Sequence, residues 1–405
     1  MDISVSKQVL LDVTYRKERI SGILEFLFWG YLMYSMISDP LGLSFPLIPG
    51  AWLSLLALAS IFNVNWKLSA RIPMLFILAI SGMLVAVQCF VHQMPITTNY
   101  IWSFVMWIPL AMVIFLLSGR PGFIKRLAVV MFLIGLVFRF WVATKMDIIA
   151  RQELSAGTIA NANDYAAWMG FCALVFWLWS WKLKRGFSRL LLLAAFAAST
   201  YFLLGTVSRG ALLSLVAGIL IGLRGFSRKQ AWLSAPALLG LGVIILLIIS
   251  PVSITNFQAR LNEDTGRLSF YPVVLRNIYL SPFFGYSIEQ ITHKVLGIDN
   301  TPHNGIMFVG EASGVIPAVL LSILWLWAIF RGFKNRWLAE LELDALPLII
   351  FAFLQMVEGN INFMFVWAVA ALFYCFREVP NEGELPAPEV EASPVQPVPF
   401  RKFSQ

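Results

Sequence analysis

The sequence predicts an all-α integral membrane protein of about 12 transmembrane helices with a small helical subdomain on its outer face. Three observations lead there. Apolar residues make up 59% of the 405 positions and charged residues only 13%, with a mean hydropathy of +0.78. A soluble domain of this length has no interior large enough to hide that much apolar side chain. Apolar runs of spanning or nearly spanning length recur along the chain, and basic residues recur in every second connection between them. Transmembrane β-strands would give a far weaker, alternating signal, which disfavours a barrel.

The runs begin near Ser21, Gly50, Pro73, Ile101, Ile124, Asp164, Leu190, Gly210, Ala231, Asn304, Asp344 and Ile361. The residues before Ser21 are polar and basic, so a retained first span is expected rather than a cleavable signal. The second, eighth and twelfth runs are short for a span of roughly 20 residues. An even number of spans returns both termini to one side. With the N-terminus in the cytoplasm, all but eight of the 30 Lys and Arg fall in cytoplasmic segments. The eight are Arg139, Lys145, Arg151, Arg209, Arg260, Arg267, Arg276 and Lys294. The predicted organisation is therefore a cytoplasmic N-terminus at 1–20, helices 1–9 within 21–250, a large outer loop at 251–303, helices 10–12 within 304–376, and a tail at 377–405. From Asn381 that tail is rich in Pro and Glu, which predicts a disordered cytoplasmic segment. The net charge of +8 is thus an orientation signal, and nucleic acid is not an expected partner.

Two outer connections are long, Lys145 to Asn163 and Pro251 to Pro302. In the second, Arg267 to Leu280 reads as an amphipathic helix with Leu268, Tyr271, Leu275 and Ile278 on one face. Pro272 lies in its early turns, where a missing N–H costs little. Ser281-Pro282 ends it, and Ile288 to Leu296 is expected to form a second short helix. Both are expected along the outer membrane surface. Cys89, Cys172 and Cys375 each fall inside an apolar run at unrelated spacings, which predicts small buried hydrophobes and neither disulfide nor metal.

Charge at the edge of a bilayer core costs about 2.5–3.5 kcal/mol on insertion scales, so outward polar residues near it invite a reason. His303 follows Thr301-Pro302. With Thr301 as helix cap and Pro302 at the first helical position, His303 falls in the first turn. There the helix dipole disfavours imidazolium, and a neutral ring can take a proton from a hydroxyl. The alternative is an interfacial histidine without a task. Glu311, eight residues on, shares that face over two turns deep, either orienting a partner or pairing with an arginine. Arg209 sits in the tight Thr206-Val207-Ser208-Arg209-Gly210 turn, and Arg267 opens the amphipathic helix after Gly266. A guanidinium binds phosphate oxygens two at a time, so two of them suit a diphosphate; each alone could instead snorkel to headgroups. Arg139 and Arg151 are weaker candidates. There is no Asp-x-Asp motif, no ligand-spaced His/Cys/carboxylate cluster and no phosphate-binding P-loop, which predicts no metal, no cofactor and no direct use of nucleotide.

Thr-x-Ser-Arg-Gly at Thr206 to Gly210, Arg267 followed by Pro282-Phe283-Phe284-Gly285-Tyr286, and His303-Asn304 with Glu311 and Gly314 together resemble the O-antigen ligase and polymerase superfamily. The single large outer loop and short tail look most like O-antigen ligase. The resemblance implies a bacterial inner-membrane glycosyltransferase, related in fold to C-type glycosyltransferases, with a periplasmic active site. It implies an undecaprenyl-diphosphate-linked polysaccharide as donor, lipid A–core as acceptor, surrounding membrane lipids as partners, and a metal-independent inverting displacement. In that scheme His303 is the general base, Arg209, Arg267 and Arg139 hold the diphosphate, and Glu311 supports them. The alternatives are O-antigen polymerase, a protein O-oligosaccharyltransferase, and a transporter or flippase of lipid-linked sugars. A second large outer loop would favour polymerase, a longer C-terminal region would favour the oligosaccharyltransferase, and charges lining a path through the bilayer would favour transport.

Overall fold

The computed structural model describes residues 22–35, 47–61, 68–96, 98–139, 162–184, 186–206, 208–224, 267–291, 293–295, 298–300, 304–334, 343–358 and 365–376. The predicted ninth run from Ala231, most of the 145–163 connection with Arg151, both chain ends, and Thr301, Pro302 and His303 lie outside the described residues.

The protein is a helical membrane protein. The other eleven predicted apolar runs each coincide with a helix. α1 spans 22–35, α2 Leu47–Ile61, and α3 Leu68–Ala86, which continues into a π-turn at Val87–Val91. α4 is Asn99–Ser118, α5 Phe123–Val137, α6 Ala162–Lys182, α7 Phe187–Gly205 and α8 Arg209–Leu223. After the large loop's α9, Arg267–Leu280, come α10, Gly305–Ser313, α11, Val315–Lys334, α12, Ala345–Glu358, and α13, Phe365–Cys375. Ile72–Val91, Ile101–Ser118, Phe187–Gly205 and Val315–Lys334 are long and apolar enough to cross a bilayer by themselves. The runs read as short are short helices: α2 and α8 have 15 residues each and α13 has 11.

Two layers of side chain explain the bundle. Phe26, Phe187, Leu213, Leu326 and Phe330 stand more than half exposed, which suits lipid and not water. α6 is different: its residues from Asp164 through Leu178 are all buried, so it is apolar on all sides and forms the centre of the bundle. Its neighbours approach it through glycines. A Cβ on Gly218 or Gly222 of α8 would come within 2.7 Å of Leu174 or Trp177, so these helices touch closely where no side chain intervenes.

The basic helix ends gather at one end of the bundle. Arg189 lies 4.4 Å from the Trp181 ring, Arg224 4.8 Å from Phe333, Arg331 5.3 Å from Phe376, and Lys125 5.6 Å from Trp179. These contacts join helix ends that the charge pattern assigns to the cytoplasm. At the same end, the buried Glu25 carboxylate accepts from Arg120 Nη1 and, at 2.6 and 3.0 Å, from Arg126 Nε and Nη2. One acid of α1 thereby holds the α4–α5 turn, whose Gly122 adopts a left-handed φ of 70°.

Two corrections concern the outer loop. The predicted second helix over Ile288–Leu296 does not form; a short antiparallel hairpin pairs His293–Val295 (β1) with Ile298–Asn300 (β2). A short run holding Val295 and Ile298 is as compatible with a strand as with a helix, and pairing partners decide. On α9 the inward stripe is Tyr271, Val274 and Ile278, with Leu275 exposed. Leu268 is outside the described side chains. Leu275 faces outward with Tyr279, on the side that is not packed against protein.

Glu25→Gln removes the charge that holds two guanidinium groups. Because both arginines retain some solvent, the expected loss is about 1–3 kcal/mol rather than the full cost of an orphaned buried ion. It should appear as a lower melting temperature in detergent with unchanged membrane insertion. An unaltered melting temperature would show that the clamp contributes nothing.

Candidate functional site

The end of the bundle away from the basic helix ends is built around two glycines that cross. Gly285, at φ 60°, ends the Pro282–Gly285 turn; Gly314, at φ 90°, separates α10 from α11. Tyr286 N–H donates to Glu311 O at 2.7 Å and Val315 N–H donates to Pro282 O at 2.7 Å, so the two turns are joined backbone to backbone. A Cβ on Gly285 would lie 2.7 Å from Ser313 N, and one on Gly314 would lie 2.7 Å from Pro282 O. Neither position tolerates a side chain, on space or on backbone conformation. Ser281 closes the turn from within: its N–H donates to Asn277 O and its hydroxyl to Gly285 O at 2.8 Å.

This junction places the outer loop on the broken tenth span. α9 packs on α10, with Ile278 Cδ1 only 3.0 Å from where a Cβ of Gly310 would be. Asn277 Nδ2 donates to Glu311 Oε1 at 2.7 Å, and Glu311 is wholly buried. The helix that Arg267 opens is therefore bonded to the helix that follows His303.

One sequence reading changes here. The N-cap of α10 is Asn304, whose Oδ1 accepts from Ile306 and Met307 N–H at 3.1 Å each; the helix begins at Gly305. His303 thus precedes the cap instead of lying in the first turn, because an Asn side chain that satisfies two N–H groups outcompetes the Thr301-Pro302 start. Glu311 lies about two turns into α10 and is wholly buried, facing protein. The break at Gly314 leaves Val315–Lys334 as a separate helix of 20 residues, about 30 Å at 1.5 Å per residue, long and apolar enough to cross a membrane.

Arg209 is the first residue of α8. Its turn is fixed by Thr206, whose hydroxyl donates to Leu203 O at 2.6 Å and accepts from Ser208 N–H at 3.3 Å. Arg209 is half-buried, and its guanidinium has no hydrogen-bond or ion-pair partner among the described residues. The adjacent free N–H groups of the helix start add to its positive field. Arg139 lies just past the end of α5, exposed and within electrostatic reach of Tyr165 at the start of α6. Arg267 opens α9, with its side chain outside the described set. Among the described residues no ion pair joins Arg209 to Glu311. Their helices share a neighbour, α12, which packs on both α8 and α10.

Two buried glutamines were not among the sequence candidates. Gln88, in the π-turn after α3, donates through Nε2 to Tyr286 O at 2.9 Å and Ala312 O at 2.6 Å, and accepts from Ile288 N–H at 3.0 Å. Gln355 of α12 donates to Ser214 Oγ at 2.7 Å, and that hydroxyl donates to Gly210 O, one residue from Arg209. Each is a polar residue inside an apolar run, and such residues in membrane helices ordinarily have a partner to satisfy.

Residues 194–322 match the model of the family described as O-antigen ligase. That stretch runs from α7 into α11 and holds Arg209, Arg267, Pro282 to Tyr286, His303, Glu311 and Gly314. It supports membership of the O-antigen ligase superfamily. No curated protein matches the chain.

The crossing makes a direct demand on sequence. Gly285→Ala and Gly314→Ala should each cost at least about 2 kcal/mol, since a left-handed φ and a backbone clash act together. Thermal unfolding of the purified protein in detergent measures this. A melting point within a degree of the parent's for both variants would mean that the two turns do not cross as described.

Proposed function

We propose that this chain is an O-antigen ligase: a metal-independent glycosyltransferase that moves a polysaccharide from undecaprenyl diphosphate to a sugar of lipid A–core at the periplasmic face of the inner membrane. The observations that support the reading are the family match and the junction beside it. One matched stretch supplies Arg209, Arg267, His303 and Glu311, and the glycine crossing ties the Arg267 helix to the segment after His303. A half-buried arginine at a helix start, with no hydrogen-bond or ion-pair partner among the described residues, is suited to an anion of the donor.

In this scheme the acceptor hydroxyl oxygen attacks the anomeric carbon as its proton passes to His303. The bond from that carbon to the diphosphate oxygen breaks, and undecaprenyl diphosphate leaves with the electron pair. Arg209 and Arg267, with Arg139 at the rim, stabilise the charge that grows on the departing diphosphate. Glu311 does not touch substrate in this scheme; it holds Asn277 and so the angle of α9. The chain divides into membrane helices at 21–250 and 304–376 and the outer loop at 251–303, with both ends cytoplasmic.

Purified protein, lipid-linked glycan and lipid A–core, mixed without nucleotide or metal, test the reading together. Glycan should appear on lipid A–core. Extension of the glycan on its own carrier would instead make the protein a polymerase, and no covalent product would remove the transferase assignment. Arg209→Ala and Arg267→Ala should each lower turnover by a few hundredfold, matching the roughly 3–4 kcal/mol lost with one preorganised donor, while insertion is preserved. His303→Ala with full transfer would remove the general base.

A further inference from the structure

We propose that Gln88 is a positioning residue for this reaction: through one side chain it fixes both the loop that follows Arg267 and the helix that follows His303 to the transmembrane body. The proposal rests on the transferase reading above for its kinetic consequence, though not for the tether itself.

A glutamine amide offers two N–H donors and a carbonyl acceptor. Gln88 uses all three groups on backbone atoms 198, 200 and 224 residues away: Tyr286 O, Ile288 N–H and Ala312 O. The first two belong to the outer loop after α9, the third to the last turn of α10. Gln88 is fully buried, and an unpaired amide there would carry a desolvation cost that hydrocarbon cannot relieve. Its placement in a π-turn adds to the case. Such turns are uncommon, carry an extra residue in the helical ladder, and concentrate at functional sites. Here the turn is followed by a chain reversal that stays on the same loop: Met94 N–H returns to Gln88 O at 3.0 Å, His92 Nε2 lies 3.2 Å from Phe284 O, and Ser287 Oγ meets Met94 Sδ at 3.1 Å.

Gln88 lies outside the stretch that matches the family. The N-terminal half thereby contributes to the geometry of a site whose candidate chemical groups come mostly from the other half. Reactive groups displaced by about an ångström lose up to roughly a hundredfold in rate without losing binding, so the signature of a lost tether is in turnover.

Gln88→Leu keeps the volume and removes all three bonds. We expect kcat per folded molecule to fall at least about tenfold while KM for the lipid-linked donor stays within about threefold. Hydrogen exchange followed by mass spectrometry should show faster amide exchange across 282–291. Gln88→Glu gives a second reading, usable where Q88L does not fold. Its ionised carboxylate cannot donate to the two carbonyls, whereas the protonated form regains one donor, so its rate relative to wild type should rise as pH falls. A purely structural role would reduce the yield of folded protein and leave turnover per folded molecule and this pH ratio unchanged. Turnover of Q88L within about twofold of an active wild type, or unchanged exchange across 282–291, would overturn the proposal. If the wild type transfers nothing while Q88L still loosens 282–291, the transferase reading fails and Gln88 remains a tether without a reaction to serve.

Discussion

The crossing of Gly285 and Gly314 is the constraint on which the outer end of this protein depends. Two backbone hydrogen bonds, Tyr286 N–H to Glu311 O and Val315 N–H to Pro282 O, close a ring of main chain in which no side chain fits. Once that ring is closed, two features follow. The helix must break at Gly314, and α9 must lie against Gly310. Only then can Asn277 reach the buried Glu311 carboxylate. A sequence with β-branched or long residues at either glycine could form each helix and still fail to assemble them.

The bilayer explains why so much of the tertiary structure hangs on a few polar side chains. Between helices in hydrocarbon the gain from burying apolar surface is small, because lipid tails serve nearly as well as leucine. Close glycine contacts and internal hydrogen bonds then decide which helices meet. The central α6 illustrates the first, with Gly218 and Gly222 of α8 lying on Leu174 and Trp177. Gln88 and Gln355 illustrate the second, one for the loop beside α10 and one for the start of α8. Both glutamines end at the outer face, whereas the Glu25 clamp and the cation–π contacts sit at the opposite end. Structure is thus held at both ends of the bundle, and Arg209 is half-buried at the start of α8.

Much of this was legible in the sequence, and the exceptions have a common cause. α9 was readable to its limits, Arg267 and Leu280, because its apolar spacing is helical and Ser281-Pro282 stops it. The short second, eighth and twelfth runs were readable from length alone. What could not be read was anything decided by a distant partner. The apolar run across Gly314 is continuous, and one glycine in such a run is ordinarily tolerated; it breaks here because Pro282 O waits for Val315 N–H. The Thr301-Pro302 pair carries a valid helix-start signal, but Asn304 satisfies two N–H groups and wins. Gln88 was visible as a polar residue among apolar ones. Its partners, some 200 residues on, were not.

With Asn304 as its cap, α10 begins at Gly305 and runs to the glycine crossing. Arg267 opens α9, whose far half is fixed to α10 through Asn277 and Glu311. The two helices meet at that crossing. Precision at such a site cannot come from the apolar spans alone, since those set depth and leave rotation and tilt to neighbours. It has to come from directional bonds at the outer end, and the bonds found there converge on the few residues from Pro282 to Ile288 and from Glu311 to Val315.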